Sequence, residues 1–239
     1  MLDEPRQAAR TRNAIFIVSM IAWGPFVLMS RGNMLGDCGA MARSGLPNAR
    51  SLAAWGLMVI AMMSPALIAP IRYIELRSFA RRRLRSIMYF AVGYFAVWMA
   101  AGCLFLGAQS LPAVAGGSSL PVVLAALVAV VWQCSPAKQL CLNRCHAHVP
   151  FGAFGLAADL GKLRFGLIHG VWCFASCWAI MFAVLLLPRW HLVAMVAATV
   201  FIAGERLETP RVPSWQPRGL GRTTRFLHWQ MRSWRFSGR

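Results

Sequence analysis

Long apolar segments that contain no Asp or Glu constrain the fold of this chain more than any other feature of its sequence. A helix that crosses a bilayer needs about 20 mostly apolar residues, within a usable range of about 17–25. The predicted spans are residues 14–30, 52–71, 87–107, 111–134, 165–187 and 190–203. Because the last segment is short, a tilted or re-entrant segment remains an alternative there. We therefore predict an all-α, polytopic membrane bundle of about six transmembrane helices.

The overall composition favours a membrane protein over a soluble one. Hydrophobic residues make up 58% of the 239 residues and charged residues 13%, whereas soluble domains average about 45–50% apolar and about 25% charged. Intrinsic disorder requires low hydrophobicity, so it is excluded as well. The seven cysteines are too few and too scattered for the disulfide framework of a secreted protein.

The distribution of positive charge predicts how the chain is oriented. The 25 Lys and Arg residues far outnumber the 7 Asp and Glu residues, and with six spans most of them fall on the side that carries both termini. Because basic loops stay in the cytoplasm, both termini are predicted to be cytoplasmic. The domains follow: residues 1–13 form a cytoplasmic N-terminus, 14–204 a membrane domain with a cytoplasmic Cys/His loop at 135–164, and 205–239 a cytoplasmic tail.

The C-terminal tail mixes arginine with Trp and Phe. This combination suits a segment that lies on anionic lipid, and a tail that only fixes the topology is an equal alternative. Single-stranded nucleic acid is bound by the same residue types. However, no recognition motif accompanies the charge, so we expect the lipid bilayer as a partner and no nucleic acid.

Soft metal ligands recur along the predicted fifth span. His169, Cys173, Cys177 and Met181 are four residues apart, and this spacing places them on one face of a helix, about 6 Å apart along its axis. Thiolate and thioether groups select Cu(I), while thiolate with imidazole also suits zinc. The alternative is that Cys and Met only fill the core of the bundle.

Two further groups of such residues lie outside the fifth span. The predicted cytoplasmic loop and its edge hold Cys134, Cys141, Cys145, His146 and His148. Cytoplasmic thiols stay reduced, so metal binding is favoured there over a disulfide. In the second span Met58 and Met62 are four apart, before Pro65. This proline frees a carbonyl about one turn back, and inside a membrane a neighbouring helix must satisfy that carbonyl.

Several of these residues also form motifs that resemble a known family. The run Trp55-x-x-Met58-x-x-x-Met62-Met63-x-Pro65 resembles the W-x-x-M-x-x-A-M-M-x-P signature of the bacterial DUF2182 family, which is described as predicted metal-binding integral membrane proteins. Further matches, in chain order, are Gly93-Tyr94 with Trp98; Gln133, Pro136, Lys138, Cys141-Leu142 and Cys145; Gly166, His169-Gly170, Cys173, Cys177-Trp178 and Met181; and Glu205.

The resemblance covers roughly residues 52–208 and implies a metal-binding protein of the bacterial inner membrane. Two positions depart from the family pattern. His146 stands where Arg is expected, and Ser176 stands where another Cys is expected before Cys177. The second departure weakens any model in which three sulfur atoms of the fifth span bind one ion.

The leading hypothesis is a membrane protein that handles copper(I), with zinc as the other candidate ion, in transport, delivery or assembly of a metalloprotein. The predicted metal ligands are Met58, Met62, Cys141, Cys145, His146, His169, Cys173, Cys177 and Met181. The expected protein partner is a metallochaperone or a membrane enzyme complex. Two alternatives stay open, namely a structural subunit of a larger membrane complex and a thiol redox protein.

Catalytic motifs are missing from the sequence, so no enzyme activity and no catalytic residues are predicted. There is no P-loop and no G-x-S-x-G elbow, and no predicted span carries paired carboxylates. Glu205 and Glu208 lie close in sequence to Arg206 and Arg211. We interpret these four residues as local ion pairs at the membrane interface.

Overall fold

The computed structural model describes residues 4–31, 49–115, 119–147, 155–187 and 190–216, and within these ranges it contains helices and no strand. The helices are α1 (Glu4–Arg31), α2 (Ala49–Met63), α3 (Ile68–Leu76), α4 (Arg83–Gln109), α5 (Pro112–Ala115), α6 (Leu120–Cys134), α7 (Pro136–Cys145), α8 (Gly155–Leu185) and α9 (His191–Arg206), with 3-10 turns at Ser64–Leu67 and Ala80–Arg82. The predicted all-α fold class is confirmed. The part of the tail from residue 217 onward, and His148, lie outside the described residues.

Four helical stretches are long and apolar enough to cross a membrane: Gln7–Leu28, Ala49–Leu76, Ala80–Gln109 and Gly155–Leu185. A fifth candidate is α6 together with α7, which are bent by 66° relative to each other. Helix α9 has 16 residues, which is just below the length of about 17–25 residues that a span needs. The sixth span and the cytoplasmic position of both termini therefore stay predictions.

The outer surface of the bundle is apolar in a way that suits lipid. On α6, large aliphatic side chains are exposed over much of the helix, for example Leu127 at 58% and Val130 at 63%. Leu104 on α4 is 70% exposed. Soluble proteins rarely expose large continuous apolar patches, so these helix faces support the membrane location.

The break at Pro65 is stabilised as the sequence predicts. Pro65 has no amide hydrogen for a bond to the carbonyl of Ala61, one turn back. The chain forms the 3-10 turn Ser64–Leu67 at this point, and Ser19 of α1 donates a hydrogen bond from its hydroxyl to the Ala61 carbonyl at 2.6 Å. The freed carbonyl is thus satisfied by a neighbouring helix, which ties α1 to the bend.

The predicted loop 135–164 is mostly helical and folds back onto the bundle. Ser135 has an extended backbone (φ −73°, ψ 144°), because a proline disfavours helical geometry in the preceding residue. Pro136 starts α7, and the Ser135 hydroxyl accepts a hydrogen bond from the Lys138 amide at 3.2 Å. Helix α8 begins at Gly155, ten residues earlier than the predicted span. Asp159, which we placed in a loop, is therefore a helical residue that pairs with Arg85 at 2.7 Å.

Helices α4 and α8 cross at very short distance because glycines occupy the crossing. A Cβ atom at Gly166 would overlap the carbonyl oxygen of Phe90, and one at Gly93 would overlap the carbonyl oxygen of Leu163. The two backbones therefore touch where side chains would otherwise separate them, as in other tightly packed membrane helices. Helix α7 packs on the same helix α8, so α8 is the central element of the fold.

We expect Gly166→Ala to destabilise the protein by about 1–3 kcal/mol or more, because overpacking forces the two backbones apart. Gly107→Ala is the matched control on α4, since nothing lies within 4 Å of an added Cβ there and alanine favours a helix. Thermal unfolding in detergent measures both variants. Equal melting temperatures for Gly166→Ala and Gly107→Ala would contradict the close crossing.

Candidate functional site

One cysteine of the predicted loop group lies in the same buried core as the two cysteines of the predicted fifth span. Cys145 is the last residue of α7, and Cys173 and Cys177 lie one turn apart on α8. All three thiols are buried in one core, and the guanidinium of Arg206, the last residue of α9, contacts the thiol of Cys173. We call Cys145, Cys173 and Cys177 the thiol cluster. Whether the loop and the fifth span form one site was open at the level of sequence, and the packing of α7 against α8 brings them together.

Arg206 contacts the thiol cluster through Cys173. Its Nη2 donates hydrogen bonds to Cys173 Sγ at 3.2 Å and to Ser176 Oγ at 2.9 Å. Its Nε and Nη1 are buried and have no acceptor among the residues that the structure describes. Arg206 was missed as a site residue, because nothing in the spacing along the chain links it to α8.

The sulfur atom of Cys173 contacts side chains from two other helices. Besides Arg206, the hydroxyl of Tyr94 lies 3.2 Å from Cys173 Sγ. Cys177 Sγ donates to the Cys173 carbonyl at 3.0 Å, and the Ser176 hydroxyl donates to the same carbonyl at 2.7 Å. Tyr94 belongs to a motif of the DUF2182 resemblance, but only the close crossing of α4 and α8 places its hydroxyl against a sulfur.

The other predicted ligands of the spans lie in the same buried region. Met58, Met62 and Met181 belong to one apolar core together with the thiol cluster. Met63 and Met195, which we did not select from the sequence, belong to it as well. These thioethers therefore share one buried apolar core with the thiols.

His169 lies one turn before Cys173 and is buried. The rings of Phe90, Tyr94 and Phe165 surround its imidazole, with centroids at 5.9, 6.0 and 6.0 Å. The imidazole is therefore surrounded by aromatic rings, and the thiol of Cys173 follows one turn later on the same helix.

The remaining loop residues have different positions. Cys141 is buried on α7, one turn before Cys145, and Cys134 is partly buried at the end of α6. His146 follows α7 and connects it to α9, because its Nδ1 lies 2.9 Å from the Leu142 carbonyl and its Nε2 lies 3.2 Å from the Arg206 carbonyl. In this arrangement both ring nitrogens of His146 are engaged by backbone oxygens.

A buried ion pair connects α7 to α9 near the site. Lys138 of α7 and Glu205 of α9 form a salt bridge with both side chains inaccessible to water, and Gln133 of α6 donates to the same carboxylate at 2.7 Å. Burial raises the pKa of Glu205, and the Lys138 ammonium opposes this shift. We predicted local ion pairs among Glu205, Glu208, Arg206 and Arg211, but the salt bridge of Glu205 is with Lys138 of α7. Arg206 donates to Cys173.

The chemistry of the donors fits a soft ion better than a hard one. Three thiols and five thioethers lie in the buried core, and such ligands select Cu(I). No three His, Cys, Asp or Glu side chains are arranged to hold a metal ion in the part of the chain that is described. The Arg206 guanidinium lies where a bound cation would contact Cys173.

We expect Lys138→Met alone to cost about 3–5 kcal/mol of stability, because it leaves a buried carboxylate without its counter-ion. Lys138→Met combined with Glu205→Gln should recover most of that loss. Thermal unfolding in detergent measures the stability of both variants. Arg164→Met, at an exposed arginine, is the control. A double variant that is no more stable than Lys138→Met would show that the two charges do not depend on each other.

One of three comparisons with known proteins identifies a family. A sequence model of the family described as "PpoB2: Copper chaperone" matches residues 52–223, well over half of the chain. No curated protein and no solved structure matched. The matched range covers nearly the same residues as the resemblance to DUF2182 and includes the thiol cluster, Tyr94 and Arg206. The chain therefore belongs to the PpoB2 family of copper chaperones.

Proposed function

We propose that this protein is a copper chaperone of the bacterial inner membrane that binds Cu(I) at the thiol cluster within its helical bundle. Membership of a copper chaperone family supports the ion, and the long apolar helices support the membrane. The observation on which the proposal rests is that Cys145, Cys173 and Cys177 are buried in one core together with the thioethers of several methionines. The protein transfers an ion and catalyses no reaction.

Copper(I) is preferred over zinc because of the donor types around this position. Sulfur atoms of Cys and Met line the buried core, and these are the ligands that favour Cu(I). Structural zinc sites take four ligands in a tetrahedron, from Cys alone or from Cys with His. His169 lies among aromatic rings, and Glu205 is engaged by Lys138 and Gln133.

Transfer to and from the site proceeds through α7. Cys141 and Cys145 lie one turn apart on this short helix, and the charge distribution predicts that the helix lies on the cytoplasmic side. Cys145 belongs to the thiol cluster as well, so an ion can pass between Cys141 and the thiols of α8 by exchange of one sulfur ligand for another. The partner in this exchange is a soluble metallochaperone or a membrane enzyme complex that needs copper.

Thiol redox chemistry is a second candidate, favoured by the contact of Arg206 with Cys173. A guanidinium stabilises a thiolate, and thiolates attack disulfides. However, Cys173 is buried, and a disulfide between Cys173 and Cys177 within one helix would need distorted geometry. A mixed disulfide with a partner, trapped through Cys141 or Cys145, would support the redox candidate over copper transfer.

The protein purified in detergent under reducing conditions should contain copper close to one ion per chain, or bind it when Cu(I) is added. Cys173→Ser with Cys177→Ser should lose it, because serine oxygen is a poor ligand for Cu(I). Elemental mass spectrometry measures the metal and identifies zinc if zinc is present. Cys141→Ser with Cys145→Ser tests the role of α7 in the same way.

Cys103→Ser is the matched control for these variants, since Cys103 is exposed on the surface of α4. It should keep the copper content of the wild type. Metal-free protein that also resists added Cu(I) would support the structural-subunit alternative, with sulfur as core packing.

A green fluorescent protein fused after the C-terminus should fluoresce, because that fusion folds in the cytoplasm, and alkaline phosphatase fused after Ser110 should be active outside. These outcomes follow from the excess of basic residues on one side. Reporter activity in cells measures both fusions. An active phosphatase at the C-terminus would mean that α9 does not complete a sixth span.

A further inference from the structure

We infer that Arg206 is a resident counter-cation, which holds the position of copper while the site is empty and leaves the site when Cu(I) binds. This inference rests on the proposed function and adds the residue that regulates occupancy. Arg206 is thus a positioning residue and not a ligand.

The first argument is the geometry of the charge. Arg206 Nη2 lies 3.2 Å from Cys173 Sγ, at hydrogen-bond distance. A metal ion bound to the same sulfur would lie beside this guanidinium in a buried region of low polarity, where repulsion between like charges is strong. Arg remains protonated in proteins. The ion and the guanidinium therefore exclude each other from Cys173.

The second argument is that Arg206 is poorly satisfied where it lies. A guanidinium has five N–H donors, yet its Nε and Nη1 are buried without an acceptor among the described residues. Its acidic sequence neighbour Glu205 is held by Lys138 instead. Unpaired buried donors are costly, so moving the guanidinium toward water regains hydrogen bonds. Such a residue is suited to leaving its site.

The third argument is that a path for this movement exists. Arg206 ends α9, and the residue as a whole is only partly buried although its guanidinium lies inside. Its backbone is held in place, because His146 Nε2 lies 3.2 Å from its carbonyl and Asn143 of α7 bonds the Arg211 carbonyl at 2.6 Å. The side chain can therefore swing outward while the chain around it stays docked on α7.

The consequence is a copper affinity that is held below its maximum. Each binding event must displace Arg206, and its return replaces the departing ion when copper is passed on. A site regulated in this way avoids leaving thiols without a charged partner after release.

Arg206→Gln tests this directly, because glutamine removes the charge without adding a sulfur ligand. The affinity for Cu(I) is measured by competition with the chromogenic chelator bathocuproine disulfonate. Arg206→Gln should bind Cu(I) about tenfold tighter or more, a change of about 1.4 kcal/mol per factor of ten. Arg206→Lys, which keeps the charge, should stay close to the wild type.

Three outcomes separate this inference from the proposed function. If Arg206→Gln binds with the wild-type affinity or more weakly, the inference is overturned while the copper site stands. If neither the wild type nor any variant binds Cu(I), the proposed function fails and the inference fails with it. Tighter binding in Arg206→Gln that disappears when Cys173→Ser is added supports both.

A measurement on the wild-type chain covers the case in which Arg206→Gln does not fold. Phenylglyoxal modifies accessible arginines, and mass spectrometry locates the modified residues. Addition of Cu(I) should increase modification at Arg206 and leave Arg211, which is exposed, unchanged. Equal modification of Arg206 with and without Cu(I) would overturn the inference.

Discussion

The close crossing of α4 and α8 is the constraint on which the rest of the site depends. Only glycine at positions 93 and 166 lets the two backbones come so close. This proximity places the Tyr94 hydroxyl 3.2 Å from Cys173 Sγ and surrounds His169 with aromatic rings. A side chain at either glycine would separate α4 from the sulfur atoms. The two glycines therefore determine which groups of α4 reach the thiols of α8.

The buried ion pair between Lys138 and Glu205 explains how charge is arranged around the thiols. Removing two charges from water is costly, and a buried pair is stable only when its geometry and hydrogen bonds are good. Gln133 supplies a further hydrogen bond to Glu205. Because Lys138 neutralises Glu205, the charge of Arg206 is left to face Cys173. The same ion pair connects α7 to α9. It therefore helps to fix the position of Cys145 at the end of α7 as well as the balance of charge at the site.

A chaperone must bind its ion firmly and still release it to the next protein. Sulfur ligands in a dry core supply firm binding of Cu(I). Release is harder, because the departing cation leaves thiolates in an apolar environment, where an uncompensated charge is costly. Arg206 is a group of the same charge already in contact with Cys173. An exchange between this guanidinium and the ion keeps the charge of the site nearly constant, which suits transfer in both directions.

Much of the architecture could be predicted from local patterns. Apolar runs indicated the helices and their membrane character. The spacing of His169, Cys173 and Cys177 placed soft ligands on one helix face. Pro65 indicated that a backbone carbonyl one turn earlier needs a hydrogen-bond donor from elsewhere. Each of these inferences uses neighbours along one chain segment, where helical periodicity relates position to direction. The donor for that carbonyl, Ser19, could not be identified, because it lies on another helix.

The contacts between helices could be learned only from the folded chain. Periodicity within α7, α8 and α9 says nothing about which faces meet, so the same residues were compatible with one site or two. The extended backbone at Ser135 turns α7 back onto α8, and Lys138 then takes Glu205 away from Arg206. The local charge pattern had indicated ion pairs among neighbouring residues of the chain. The physical reason is that buried charged and polar groups are most stable in the arrangement that gives the largest number of them a partner. Which partners are within reach depends on how the helices pack and not on distance along the sequence.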